Sequence, residues 1–112
     1  GEGARRQPAV ESELDPGRFS SLAELAGYLS ARPDLKVTLV GHTDAEGSLD
    51  ANVALSKRRA QSVADRLIAE YGVSASQVSA EGAGFLAPRA SNLTPEGRTE
   101  NRRVEAMLTS TR

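Results

Sequence analysis

Val37-Thr-Leu-Val40 is the stretch that most limits what this chain can fold into. A short apolar, β-branched run of this kind is a strand from inside a sheet. It passes directly into Gly41-His-Thr-Asp44. Glycine at that point lets the backbone leave the strand sharply or come close to another segment. His42, Thr43 and Asp44 then stand at the C-terminal end of a strand, where open α/β sheets collect ligands.

Helical periodicity lies on both sides. Asp15-Pro16 offers an N-cap carboxylate with proline at the first helical position. Phe19, Leu22, Leu25, Ala26 and Leu29 follow on one apolar face, and Pro33 ends the helix near Ser30 or Ala31. Beyond Asp44 and a Gly47 loop, two readings exist. One helix runs from Leu49 to Tyr71, or a short helix ends at Leu55 and Ser56 caps a second. The break at Ser56 is the preferred reading, because serine is a good cap and the two apolar patterns differ in phase.

The choice fixes Arg59. In a continuous helix it lies about 15 Å along the axis from Leu49, remote from Asp44. With a break it falls in a first turn beside the Asp44 loop. Lys57, Arg58 and Arg59 would then crowd a helix N-terminus, where the macrodipole disfavours cations. An anionic ligand would resolve that conflict, as would neutralisation by Asp44, Glu46 and Asp50. Ala60, Val63, Ala64, Leu67 and Ile68 point inward, and Gly72 stops the helix.

Val78 to Glu81 reads as a strand left through Gly82-Ala-Gly84. Thr94-Pro95 opens a helix with room for one turn. Asn101 to Thr109 is the last strand, with Val104, Ala106 and Leu108 on one face and Arg103, Glu105 and Met107 on the other. Pro8 to Leu14 reads as a short edge strand. The expected organisation is a flexible lead-in over residues 1–8 and a single domain over 9–112. The fold class is α/β (α+β): a two-layer sandwich with element order β-α-β-α-β-β and a mixed sheet, parallel through its crossovers and antiparallel at the last strand.

Composition narrows the function. A 112-residue chain with net charge −1 holds one core and lacks the basic surface of a general nucleic-acid binder. There is no cysteine, hence no disulfide, thiol nucleophile or thiolate metal site. His42 is the one histidine, and His42-x-Asp44 lacks a third ligand of equal quality, so no metal, cofactor or enzymatic role is expected. No apolar run reaches the ~18 residues of a transmembrane helix. Twelve arginines stand against two lysines, which favours planar, bidentate recognition of carboxylates or phosphates. The chain opens on glycine rather than methionine, and the expectation is a piece of a longer protein whose export signal or anchor lies upstream.

Gly41-His-Thr-Asp44, Gly47, Asn52, Leu55-Ser56, Arg59-Ala60, Gly72-Val73, Gly82, Gly84, Pro88, Asn92, Thr94, Gly97-Arg98 and Asn101-Arg-Arg-Val-Glu105 together resemble the OmpA-like C-terminal domain. The resemblance runs from Asp15 to Thr109. It implies a non-enzymatic domain of the Gram-negative periplasm that holds a membrane-associated parent protein to peptidoglycan. It further implies that Asp44 pairs with the side-chain ammonium of meso-diaminopimelate in the stem peptide, and Arg59 with the carboxylate on the same carbon. Thr43, Asn52, Leu55 and Arg103 match further positions around that pocket, Arg103 having a salt bridge to Glu81 or Glu105 as an equal reading. Peptidoglycan is thus the expected partner, with nucleic acid excluded and a homo-oligomer allowed. The alternative is an interaction module of the same fold that has lost the ligand.

Overall fold

The structure, a computed structural model, describes residues 21–110. The expected lead-in, the edge strand at Pro8 to Leu14, Asp15-Pro16 and Phe19 lie outside the described residues. Helix α1 spans Leu22–Ser30 and opens on Ser21, whose side chain accepts from the Glu24 N–H. The helix carrying Leu22, Leu25 and Leu29 therefore starts at a serine cap and not at Asp15-Pro16. Ser21 is fully extended, as an N-cap residue is.

Strand β1 covers Leu35–His42, longer at both ends than the Val37–Val40 expected. Helix α2 runs Leu49–Ala69, a 3-10 turn covers Ala75–Gln77, and β2 covers Val78–Gly84. Helix α3, Pro95–Asn101, leads into β3, Arg103–Ser110. The sheet order is β2-β1-β3, with β1 parallel to β2 and antiparallel to β3. The mixed pairing matches the sequence expectation.

Register sorts the side chains into rows. Val78, Val37 and Leu108 align, then Ala80, Leu39 and Ala106, then Gly82, Gly41 and Val104. These rows meet Leu22, Leu25 and Leu29 of α1 and Ala60, Val63 and Leu67 of α2 in one core. Both helices thus cover the same sheet face, which gives two layers. The opposite face carries Thr38, Ser79 and Met107 at one end and His42, Arg103 and Glu105 at the other.

Three expectations are corrected by this packing. Helix α2 does not break at Ser56: it is continuous for 21 residues and is capped by Ser48, which accepts from the Ala51 N–H. Ser56 is fully buried, donates back to the Val53 carbonyl and accepts from the Gly84 N–H, both at 2.9 Å. A serine that returns its hydroxyl to its own helix needs no cap position.

Gly82 and Gly84 belong to β2 and are not its exit. A Cβ on Gly41 would stand 2.0 Å from the Ser56 carbonyl oxygen, and one on Gly82 would stand 2.5 Å from that of Val53. The glycines are a flat seat that lets the backbone of α2 lie directly on the sheet.

Finally, α3 makes two turns, because Asn101 finishes that helix and does not begin β3. Gly97 permits the compact turn: a Cβ there would overlap the Ser91 carbonyl oxygen at 1.8 Å.

Candidate functional site

The loop from Thr43 to Ser48 joins β1 to α2 and carries Asp44. Its shape is set by hydrogen bonds on every side. Thr43 donates its N–H to the Gly84 carbonyl at 2.8 Å and its hydroxyl to the Asp44 carbonyl at 2.9 Å. Asn52, in the first turn of α2, donates to the Glu46 carbonyl at 2.6 Å and to the Ser48 carbonyl at 2.9 Å. The Glu46 N–H in turn donates to Asp44 Oδ1 at 3.1 Å. Asn52 and Thr43 are thereby loop braces, and Asp44 is held in place through them.

Asp44 is buried, and its Oδ2 accepts from Arg102 Nη1. Burial pushes its carboxyl up, but the Glu46 N–H and the Arg102 guanidinium outweigh that and hold it below the ordinary aspartate range. The ion partner of Asp44 among the described residues is therefore Arg102, not Arg59. Arg102 also donates to the Thr99 hydroxyl at 3.0 Å, tying Asp44 to α3. Sequence reasoning passed over Arg102 because it stands next to Arg103. No local signal in the sequence separates the two: only the observed start of β3 at residue 103 leaves Arg102 outside the sheet and able to turn toward the loop.

A second brace reaches the site from the connection between β2 and α3. The Ala45 N–H donates to Asn92 Oδ1 at 3.1 Å, and the fully buried Asn101 donates to the same oxygen at 2.9 Å. Asn101 also accepts from the N–H groups of Arg89 and Ala90. Two asparagines thus convert a polar loop into a fixed wall beside Asp44, satisfying backbone groups that no sheet or helix reaches.

Arg103 belongs to a different cluster. Its guanidinium donates to Glu105 Oε2 at 2.8 Å, to the Asn101 carbonyl at 3.2 Å and to the Ala87 carbonyl at 3.0 Å. Glu105 also holds Arg89 at 3.1 Å and His42 Nε2 at 3.0 Å. Burial, then Arg103, push the His42 imidazole down against the pull of Glu105. Glu105 is raised by burial but held lower overall by Arg103. The salt-bridge reading of Arg103 holds, with Glu105 as partner. This knot folds the 85–91 loop over the outer sheet face.

Arg59 stands in the third turn of α2, half-buried, with Nη1 buried and without a hydrogen-bond partner. It makes no ion pair with Asp44. The charge conflict expected from a helix N-terminus at Lys57 disappears with the continuous helix: Lys57 and Arg58 are exposed in its middle, and the first turn carries Asp50. Leu55 is half-buried on the same flank as Asn52 and Arg59, at spacings of three and four residues. Among the described residues, no cluster of three potential metal ligands occurs.

The model of the OmpA family matches residues 10–102. The chain belongs to the OmpA family. It is 44% identical over 97 residues to the peptidoglycan-binding protein ArfA of Mycobacterium bovis, a match covering 87% of this chain and 29% of that protein. The chain therefore spans less than a third of that relative's length. Among solved structures, the peptidoglycan-associated lipoprotein of Burkholderia pseudomallei superposes with a TM-score of 0.74 at 30% identity, covering 79% of this chain and 74% of that one. The cell wall anchor of the type VI secretion system of Pseudomonas aeruginosa gives 0.66 at 33% identity, over 89% and 76% of the two chains.

Proposed function

We propose that this OmpA-family domain binds peptidoglycan non-covalently through the diaminopimelate of its stem peptide, and so holds a larger envelope protein to the cell wall. Asp44 takes the side-chain ammonium and Arg59 the carboxylate on the same carbon. The observation that carries the reading is the buried, unpartnered Nη1 of Arg59. A desolvated guanidinium nitrogen with no acceptor is costly, and an incoming carboxylate removes the cost. The relatives named for peptidoglycan or the cell wall support the same ligand class.

The continuous α2 is compatible with joint use of the two residues. Asp44 is tied through Glu46 to Asn52, not to Leu49. From Asn52 to Arg59 the axial rise is roughly 10 Å, and helical side chains lean toward the N-terminus, which shortens the gap that a long arginine spans. The ligand bridges the remainder. Lysine at the same peptide position lacks the second carboxylate and leaves Arg59 unpaired, so the pair discriminates against it.

Calorimetric titration with a soluble muropeptide containing diaminopimelate tests the reading. Saturable binding by the wild-type domain, with loss in Asp44→Ala and in Arg59→Ala, is the expected outcome. A domain that does not bind, or variants that bind as well as wild type, would overturn it and leave an interaction module of the same fold.

A further inference from the structure

We infer that Arg102 is a specificity-determining residue that occupies Asp44 in the free domain and admits only ligands able to supply a replacement carboxylate. This rests on the diaminopimelate reading above and assigns a role to a residue outside it. Asp44 has no vacant charge partner in the free protein: the Glu46 N–H fills one oxygen and Arg102 Nη1 the other. An ammonium approaching Asp44 therefore meets a guanidinium already seated there. The two sides of the pair differ in freedom. The Asp44 side chain is 11% exposed and braced through Asn52, whereas that of Arg102 is 39% exposed and follows the end of α3. Arg102 is the member that moves.

A ligand that brings only an ammonium exchanges one cation for another at Asp44 and leaves Arg102 without its carboxylate. A ligand that brings an ammonium and a carboxylate on one carbon offers Asp44 a new cation while supplying an anion to the arginines around it. Arg102 in this way raises the selectivity for a zwitterionic side chain beyond what Arg59 provides alone. The mechanism is discrimination through an unsatisfied charge in the wrong complex.

The test compares two stem tetrapeptides ending in D-alanine, one with meso-diaminopimelate and one with L-lysine at the third position, titrated into wild type, Arg102→Gln and Arg102→Lys. The expected result is that Arg102→Gln binds the lysine peptide about tenfold tighter than wild type and loses a similar factor of preference for diaminopimelate. Arg102→Lys, which keeps a cation at Asp44, retains the wild-type preference. An unchanged preference in Arg102→Gln, or a parallel loss of both peptides, overturns the inference while leaving the peptidoglycan reading intact. Absence of diaminopimelate binding by wild type overturns that reading, and this inference with it. In the ligand-free domain, an NMR titration of the Asp44 carboxyl should move upward in Arg102→Gln; a carboxyl that does not move also overturns the role assigned to Arg102.

Discussion

Two arginines, one on β3 and one on α2, illustrate two kinds of environment. Arg103 directs its guanidinium at three acceptors, Glu105 and the carbonyls of Asn101 and Ala87, inside a knot that includes His42 and Arg89. Arg59 has one buried nitrogen, Nη1, without an acceptor among the described residues. The Arg103 guanidinium is satisfied by the chain itself and closes a loop over the sheet. Under the proposed function the second is completed by the carboxylate of the ligand. The residue type is the same, Arg103 is buried and Arg59 half-buried, and the two differ in the supply of acceptors.

Removing each arginine breaks the comparison most directly. Arg103→Ala takes one donor from Glu105 and removes the guanidinium from the Asn101 and Ala87 carbonyls, and should cost about 3–5 kcal/mol of unfolding free energy, the range for breaking a buried ion pair. Urea denaturation reads it, and a loss under 1 kcal/mol would mean that the knot is decorative. Arg59→Ala should change the unfolding free energy by no more than about 0.5 kcal/mol. It should instead remove about 2–5 kcal/mol of affinity for a diaminopimelate peptide, measured by calorimetry. A stability loss like that of Arg103→Ala would make both arginines structural.

A smaller effect asks whether the helix bearing Arg59 is anchored independently of the knot. Ser56→Ala deprives the buried Gly84 N–H of its acceptor and should cost about 1–3 kcal/mol, with peptide affinity close to wild type. Thermal melts paired with titration separate the two readouts. The smallest effect is that of pH. The folded His42 titrates below its unfolded value of 6.5, so the native state binds fewer protons between those two values. Stability should be level above pH 6.5 and decline as pH falls below it toward the folded value. Urea midpoints from pH 7.5 to 5 check this, and His42→Gln should flatten the slope in that interval.

Much of the scaffold was legible because it depends on periodicity. The apolar rows of β1 and β3 and the inward face of α2 follow from spacing alone, and an antiparallel last strand followed from element order. The break assigned to Ser56 failed because a serine beside a cationic run reads equally as a cap or as an interior residue that bonds back to its own helix. Only the glycine seat beneath it decides, and glycines give no direct signal of what approaches them. The Asp44–Arg102 pair was illegible for a related reason. Adjacent arginines look alike in a chain, whereas the start of β3 sends one under the 85–91 loop and the other toward Asp44. The bracing role of Asn92 and Asn101, satisfying backbone groups of other segments, leaves no local pattern, and Asn101 reads from sequence as the start of a strand.

In the proposed function the guanidinium of Arg59 takes the ligand carboxylate, and the most direct test observes that group. In a nitrogen-detected NMR spectrum of the arginine side chains, addition of the diaminopimelate stem peptide should slow rotation and shift the Arg59 guanidinium resonances, leaving those of Arg103 unchanged. Arg59 resonances that stay fixed at saturating peptide, or that move no more than those of Arg103, would contradict the account.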